Sequence, residues 1–365
     1  MFDDILKQAR NETNSNCVIT EDGLMSNDKV RISVIGLGGG GCNTINRMVS
    51  MGLKSAKTIA VNTDRLHLDV INADKKVLIG KSVTKGLGAG GFPEIGTKCA
   101  EISKNEILEA MGENELVFVC AGMGGGTGTG SAPVVAKMAK EMGAVVVGIV
   151  TSPFKLERAR IKKAEWGVKE LSKYTDTLII IDNNRLVSYA PNLPVNKAFM
   201  LADEITTKAV KGICDTIMFP SLMNIDYADV RSVMEEGGVS LISIGEASGP
   251  DKVERVVKDT LQHPLLDVSY EGAKGALIHI TGSSALTLGD SIKIGEKLTE
   301  VFDPNAQIKV GARLDENAGA NVEVIMIATG LKIQDIFNSQ SADRDSQSVA
   351  ESKEMLLEQL GMNYI

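Results

Sequence analysis

The chain has 365 residues, with 39 Lys and Arg against 47 Asp and Glu, a formal net charge of −8. That length allows roughly two domains at about 150 residues each, and 43% apolar with 24% charged residues reads as globular. The acidic balance argues against holding nucleic acid through bulk charge, and no apolar run approaches the roughly 20 residues of a membrane-spanning helix. Residues 1–29 read as a loosely ordered arm, without the basic start and apolar core of a signal peptide. The five cysteines (Cys17, Cys42, Cys99, Cys120, Cys214) are scattered and form no Cys-x-x-Cys pair. They favour a reducing cytosol over a disulfide framework or a zinc site. His67, His263 and His279 lie far apart, which argues against a histidine metal centre.

From Val30 a pattern repeats: a short apolar run, a turn, then a helical segment. The runs are 30–35, 58–61, 77–79, 116–121, 145–150 and 178–181. Each is nearly continuous in apolar residues, as expected for strands covered on both faces. Helical segments between them point to a parallel sheet wound by helices. Over 131–142, Val135, Met138, Ala139 and Met142 make one apolar helix face, with Pro133 placed in the first turn. A longer helical pattern over 194–217 reads as a central helix. Strand-like runs at 239–244, 276–280, 308–310 and 322–329, with helices at 251–262 and 287–302, predict a second, smaller α/β domain. The domain boundaries are therefore 1–29, 30–193, 194–218, 219–335 and 336–365.

Glycine placement carries the chemistry. Gly36, Gly38 and Gly41 fit G-x-G-x-x-G after the first strand, which suits close approach of backbone to phosphate. The acid nearest a ribose-binding position is Asp64, in Asn62-Thr63-Asp64. A second loop, 122–130, has eight Gly or Thr among nine residues, more than a turn needs. Its N–H groups would converge on an anion, helped by the following helix dipole. It contains no lysine, and Gly80-Lys81-Ser82 fails the P-loop spacing because Lys75 stands at the first glycine position. A third loop, 86–91, reads as a further phosphate-facing loop or a lid. Asp226 and Asp229 are three apart where a helix would begin. Such a pair can activate a water or hold a cation, or can serve as a helix cap and a first-turn acid.

Gly-Gly-Gly-Thr-Gly-Thr-Gly between a strand and a helix, with the upstream Gly-Leu-Gly-Gly-Gly-Gly-Cys-Asn, Asn-Thr-Asp at 62–64 and Asn-Ile-Asp-Tyr-Ala-Asp at 224–229, is specific. Over about residues 30–330 the sequence resembles FtsZ, the family of tubulin-like cell-division GTPases, in its archaeal form. The resemblance implies an α/β, tubulin/FtsZ-like fold: a Rossmann-like parallel-sheet GTP-binding domain, a long central helix and a second, smaller α/β domain.

By the same resemblance GTP or GDP contacts Gly38, Gly39, Gly40, Gly41, Cys42 and Asn43, with Asn62 and Asp64 nearby. Gly124, Gly125, Gly126, Thr127, Gly128, Thr129 and Gly130 cradle the phosphates, and Gly88, Ala89, Gly90 and Gly91 lie near the terminal one. Thr151, Glu157, Arg160 and Asn183 complete the nucleotide contacts, with Arg158 a rival to Arg160 because the run 154–160 is one residue short of the family pattern. Phe199 would stack on the base and Asp203 would accept guanine's N–H groups; i and i+4 share a helix face.

Asn224, Asp226 and Asp229 would be catalytic, entering the nucleotide site of the next subunit, with Mg2+ offsetting the phosphate charge. The implied partners are the chain itself, head to tail, and a membrane adaptor bound by the apolar segment 355–365. No nucleic acid and no direct membrane insertion are expected. The implied place is the cytoplasm, at the mid-cell division site. Two alternatives remain at this point: a tubulin-like paralogue that polymerises for cell shape, and an NAD-dependent oxidoreductase built on the first glycine motif.

Overall fold

The computed structural model describes residues 30–184, 195–219, 221, 223, 225–235, 238–261, 270, 273–283, 286–300, 302–315 and 321–331. The arm 1–29, Asn224 and the tail 336–365 lie outside the described residues. In the first half every apolar run of the sequence is a strand: β1 (Ile32–Leu37), β2 (Lys57–Asn62), β3 (Lys75–Leu78), β4 (Leu116–Gly122), β5 (Val145–Ser152) and β6 (Thr177–Asp182). The helices between are α1 (Gly38–Ser50), α2 (Arg65–Val70), α3 (Lys81–Thr84), α4 (Pro93–Ile102), α5 (Lys104–Met111), α6 (Thr127–Glu141) and α7 (Arg158–Leu171). The long helix α8 (Val195–Met218) follows, then α9 (Tyr227–Met234), β7 (Gly238–Ser248), α10 (Lys252–Leu261), β8 (Gly275–Gly282), α11 (Leu288–Thr299), β9 (Gln307–Leu314) and β10 (Asn321–Leu331).

The described strands form one sheet in the order β3-β2-β1-β4-β5-β6-β7-β10-β8-β9. β1 to β6 are parallel to their neighbours. β10 runs antiparallel to β7 and β8. The two halves join through a short parallel pairing, Thr177↔Gly238 to Ile179↔Ser240. The second half therefore shares a hydrogen-bonded sheet with the first, a continuity that strand patterns alone could not foretell.

Alternation along each strand sends side chains to both faces. On one face Ile45, Met48, Phe118, Ile213 and Val230 pack α1, α8 and α9 on the sheet. On the other, Ile35, Val119, Val135, Ala136 and Leu171 pack α6 and α7. A third core, including Val256, Ile280, Ile294 and Val324, lies under α10 and α11. Phe118 is fully buried, so Phe118→Ala is expected to cost about 3–5 kcal/mol. α8 comes close enough to β10 that a Cβ on Gly212 would lie 2.1 Å from Ile325 Cδ1.

One local expectation needs correcting. Pro133 is not in the first turn of its helix, because α6 already begins at Thr127 and holds Pro133 inside. Thr127 to Gly130, the end of the second loop, are themselves the first helical turn. At Gly130 neighbouring backbone leaves no room for a side chain: a Cβ there would lie 2.0 Å from Pro93 O. Likewise the third glycine loop follows the single turn α3, with Lys85, Gly86, Gly88, Gly90 and Gly91 at positive φ, and does not follow a strand directly.

Candidate functional site

The C-terminal ends of β1, β4, β5 and β6 open onto one cleft of about 620 Å³. It is lined by Gly39, Gly40, Asn43, Gly125, Gly126, Thr127, Gly128, Thr151, Glu157, Arg160, Asn183 and Asp203, all singled out by sequence. The N-termini of α1 and α6 both point into it. The first turn of a helix leaves its N–H groups outside the helical ladder, and each N-terminus carries roughly half a positive charge. Two such ends on one cleft make an anion site without lysine. Arg160 is the one cationic lining residue among the described residues; its guanidinium pairs with Glu157 and donates from Nε to Gly124 O at 3.3 Å. Arg158 is not among the lining residues.

The other sequence candidates brace the cleft from behind. Gly38, at φ +68°, lets the two main glycine loops touch, since a Cβ there would lie 2.7 Å from Gly128 N. Gly41 sits against Cys120 O, 2.2 Å from where a Cβ would stand. Cys42 is buried between Gly36 O and Val61 O, and burial pushes its thiol up to about 12. Thr129 Oγ1 accepts from Gly124 N at 2.8 Å, closing the second loop on itself. Asn62 Oδ1 accepts from Thr63 N at 2.9 Å and Asp64 N at 3.3 Å, and Asp64 caps α2 by accepting from His67 N. Thr63 Oγ1 lies 2.6 Å from Thr127 Oγ1. Gly88, Ala89, Gly90 and Gly91 form the loop at the cleft's edge: a Cβ on Gly126 would lie 2.9 Å from Ala89 Cβ and 3.1 Å from Gly91 N. Lys163 Nζ holds that loop by donating to Gly91 O at 2.6 Å.

Two groups face the cleft with polarity unspent. Asn183 is buried, and its Oδ1 has no hydrogen-bond partner among the described residues. Asp203 accepts from Thr44 Oγ1 at 2.7 Å. Burial pushes its carboxyl up to about 6, against the Thr44 hydrogen bond and the charge of Arg47. Phe199 lies four residues before Asp203 in α8; its side chain is outside the described residues. Among the lining residues that sequence reasoning missed are Thr44, Phe154, Leu156 and Thr206. They belong to no glycine motif, and only Thr44 directly follows one.

Asp226 and Asp229 stand elsewhere. Asp226 caps α9, its Oδ1 accepting from Asp229 N at 2.8 Å, while Asp229 Oδ2 accepts from Asp226 N at 3.3 Å. Sequence left a cap and a functional pair as alternatives, and the cap is present. Such a cap contributes about 1 kcal/mol. Asp229 Oδ1 also lies 2.7 Å from Lys309 Nζ, which lowers the carboxyl below its usual range. Tyr227 Oη donates to Glu115 O at 2.8 Å, so the pair lies near the start of β4, whereas the cleft lies at its end.

Residues 31–191 match the Tubulin/FtsZ family GTPase domain, and residues 238–332 match the FtsZ family C-terminal domain. The cell division protein FtsZ 2 of Methanocaldococcus jannaschii is 57% identical over 316 residues, 86% of this chain and 83% of that protein. The chain belongs to the FtsZ family. FtsZ 1 of Thermococcus kodakarensis is 48% identical over 309 residues, 84% of this chain and 83% of that protein. A solved FtsZ dimer, empty, from M. jannaschii aligns with TM-score 0.79 at 43% identity, over 91% of this chain and 92% of that one. CetZ1 from Haloferax volcanii, a GDP-bound monomer, shares the fold at TM-score 0.72 and 21% identity, over 91% and 100% of the two chains. As an FtsZ-family protein the chain is a tubulin-like cell-division GTPase that binds GTP and GDP. The GTPase-domain match sets aside the oxidoreductase alternative. No helix among the described residues is long and apolar enough to cross a membrane.

Proposed function

We propose that this GTPase assembles head to tail into filaments, and that Asp226 and Asp229 of one subunit, with Asn224, complete the hydrolytic site of the next. The observation that carries this reading is distance within one chain. Tyr227 is tied to Glu115, just before β4, and the opposite end of β4 lines the cleft. Seven residues of strand span about 20 Å at roughly 3.3 Å each, so the carboxylates lie far from their own chain's nucleotide. A second copy stacked in the same direction brings its carboxylate end onto the first copy's cleft. Such a contact is heterologous and open-ended, the geometry of a filament. The dimer of the M. jannaschii relative is consistent with self-association.

Within the cleft the amides of Gly125 to Gly128, with Gly39 and Gly40, receive the phosphates, and Arg160 adds the positive charge. Asp203 and Asn183 read the guanine edge: a carboxylate accepts the N–H donors that guanine has and adenine lacks. Phe199 stacks on the base. Mg2+ brought in with the nucleotide would offset the charge that builds during transfer to water. The incoming Asp226 and Asp229 orient and deprotonate the attacking water. The apolar end of the tail, 355–365, docks a membrane adaptor, and so brings the filaments to the mid-cell division site from the cytoplasm. Deleting 352–365 is expected to spare assembly and abolish adaptor binding.

The deciding experiment is GTP turnover per subunit against protein concentration, with light scattering on the same samples and ATP as control. Turnover that appears only above a threshold, with scattering and with GTP alone, supports a shared site. Turnover proportional to concentration from the lowest dose, without scattering, refutes it.

A further inference from the structure

The segment that carries the aspartates runs along one face of β9. Arg313, Gly311 and Lys309 alternate onto the same face of that strand. The Arg313 guanidinium stacks on the Phe219 ring at 4.9 Å. Gly311 leaves space for Ile225, whose Cδ1 would lie 2.7 Å from a Cβ there. Between them Met223 and Ala312 exchange backbone hydrogen bonds of 3.2 and 3.1 Å. Lys309 Nζ ends the series at 2.7 Å from Asp229 Oδ1. Each step down the strand meets a residue further along the loop, so β9 sets where the loop delivers its carboxylates.

We infer that Lys309 is a positioning residue for hydrolysis: it fixes the Asp229 carboxylate and offsets part of the charge that Asp226 and Asp229 present to the neighbouring subunit's phosphates. This inference rests on the head-to-tail reading above. Two carboxylates three residues apart would otherwise approach a polyphosphate with nothing to temper their repulsion. Asp229 has both oxygens engaged, Oδ1 by Lys309 and Oδ2 by the Asp226 amide, so its plane is set from two sides. The charged groups facing it are Asp226 and Lys309; Arg231, further along α9, is taken by Glu235 at 2.7 Å. Lys309 is half-exposed and lies outside the apolar cores, so its loss leaves the fold intact. Nothing in the sequence marks it, because it lies 80 residues from Asp229 on a strand with no motif.

The test uses the full-length chain with GTP. Turnover is normalised to sedimented polymer for the wild type, Lys309→Met, Lys309→Arg and Asp229→Asn, with thermal unfolding and GTP binding measured alongside. Lys309→Met is expected to lower kcat about tenfold, well short of the roughly hundredfold that a 1 Å misplacement of reacting groups can cost. KM for GTP and GTP binding stay unchanged. Lys309→Arg restores most of kcat. The acid limb of the Lys309→Met pH profile moves to higher pH, because the lysine holds the Asp229 carboxyl low. A merely structural lysine would lower the unfolding midpoint while leaving kcat per polymerised subunit and the acid limb as in the wild type, and that result overturns the inference. Loss of turnover in Asp229→Asn with a wild-type Lys309→Met overturns this inference alone. Normal turnover in Asp229→Asn overturns it together with the head-to-tail reading.

Discussion

At the C-terminal ends of the strands the proposed nucleotide cleft is made mostly of backbone, whereas at their N-terminal ends the Asp226/Asp229 loop presents side chains. The cleft relies on glycines, of which Gly38, Gly41, Gly126 and Gly128 are packed so closely that the space for a Cβ is already filled, and on N–H groups held by two helix starts. The aspartate end relies on two exposed or half-exposed carboxylates and one lysine. The contrast teaches where each end is vulnerable. Backbone sites fail sterically, and substitutions there damage binding and fold together. Side-chain sites fail electrostatically, and substitutions there can remove chemistry while the fold stands.

The largest effect tests the backbone end. A Cβ at Gly128 would lie 2.8 Å from Gly122 O and 3.0 Å from Leu37 O, both main-chain atoms that cannot turn aside. Gly128→Ala is expected to abolish GTP binding in a filter or fluorescence assay and to lower the unfolding midpoint. Retained binding would mean that the cleft is less rigid than its packing implies.

The side-chain end is probed next. Asn is as good a helix cap as Asp, so Asp226→Asn keeps the cap while removing the carboxylate. Its turnover is expected to fall about 10²- to 10⁴-fold, the usual contribution of a general base, with the unfolding midpoint and GTP affinity unchanged. Asp226→Ala should lose the same activity and, in addition, about 1 kcal/mol of stability. If the Asn variant turns over GTP normally, the pair is a cap and nothing more.

A smaller effect comes from Arg160, the one cation lining the cleft among the described residues. Arg160→Ala is expected to weaken GTP binding about tenfold to a hundredfold, the range of a charge-assisted hydrogen bond. Arg158→Ala should leave it unchanged; equal losses in both would show that the two arginines share the role.

Smaller still is a pH effect at Asp203. Its carboxyl is held up to about 6 by burial, so the empty fold is relieved when it protonates and gains stability as pH falls through that value. Guanine needs the ionised form and pulls the value down again. GTP affinity is therefore expected to be level above pH 7 and to fall by up to about tenfold per pH unit below 6. Titration calorimetry across that window checks it, and an Asp203→Asn variant should lose both the dependence and the preference for GTP over ATP. The smallest expected change is Tyr227→Phe, which removes the hydrogen bond to Glu115 O and should cost about 1 kcal/mol in chemical unfolding.

Much of this molecule was legible without coordinates, for identifiable reasons. A strand buried on both faces has to be a short run of apolar residues, and β1, β4, β5 and β6 are such runs. A backbone anion site has to be rich in glycine, and 122–130 is. A helix cap with a carboxylate three residues on is a local pattern, and 226–229 carries it. These features depend on neighbours within a few positions, so the order of residues along the chain suffices.

What the chain order could not supply is whatever arises between distant segments. It did not separate Gly39 and Gly40, which face the cleft, from Gly41 and Cys42, which pack behind it, because one helical turn rotates adjacent residues to opposite sides. It did not distinguish Arg160 from Arg158, since only the start of α7 decides which arginine turns inward. The join of the two halves through three residue pairs of β6 and β7, the Thr44–Asp203 hydrogen bond and the Lys309–Asp229 pair all link residues 61 or more positions apart. Local chemistry was written in the sequence by itself. The placement of the cleft and the carboxylate pair at opposite ends of the strands belongs to the tertiary structure, because β1 to β6 all point the same way and so give the sheet two different ends.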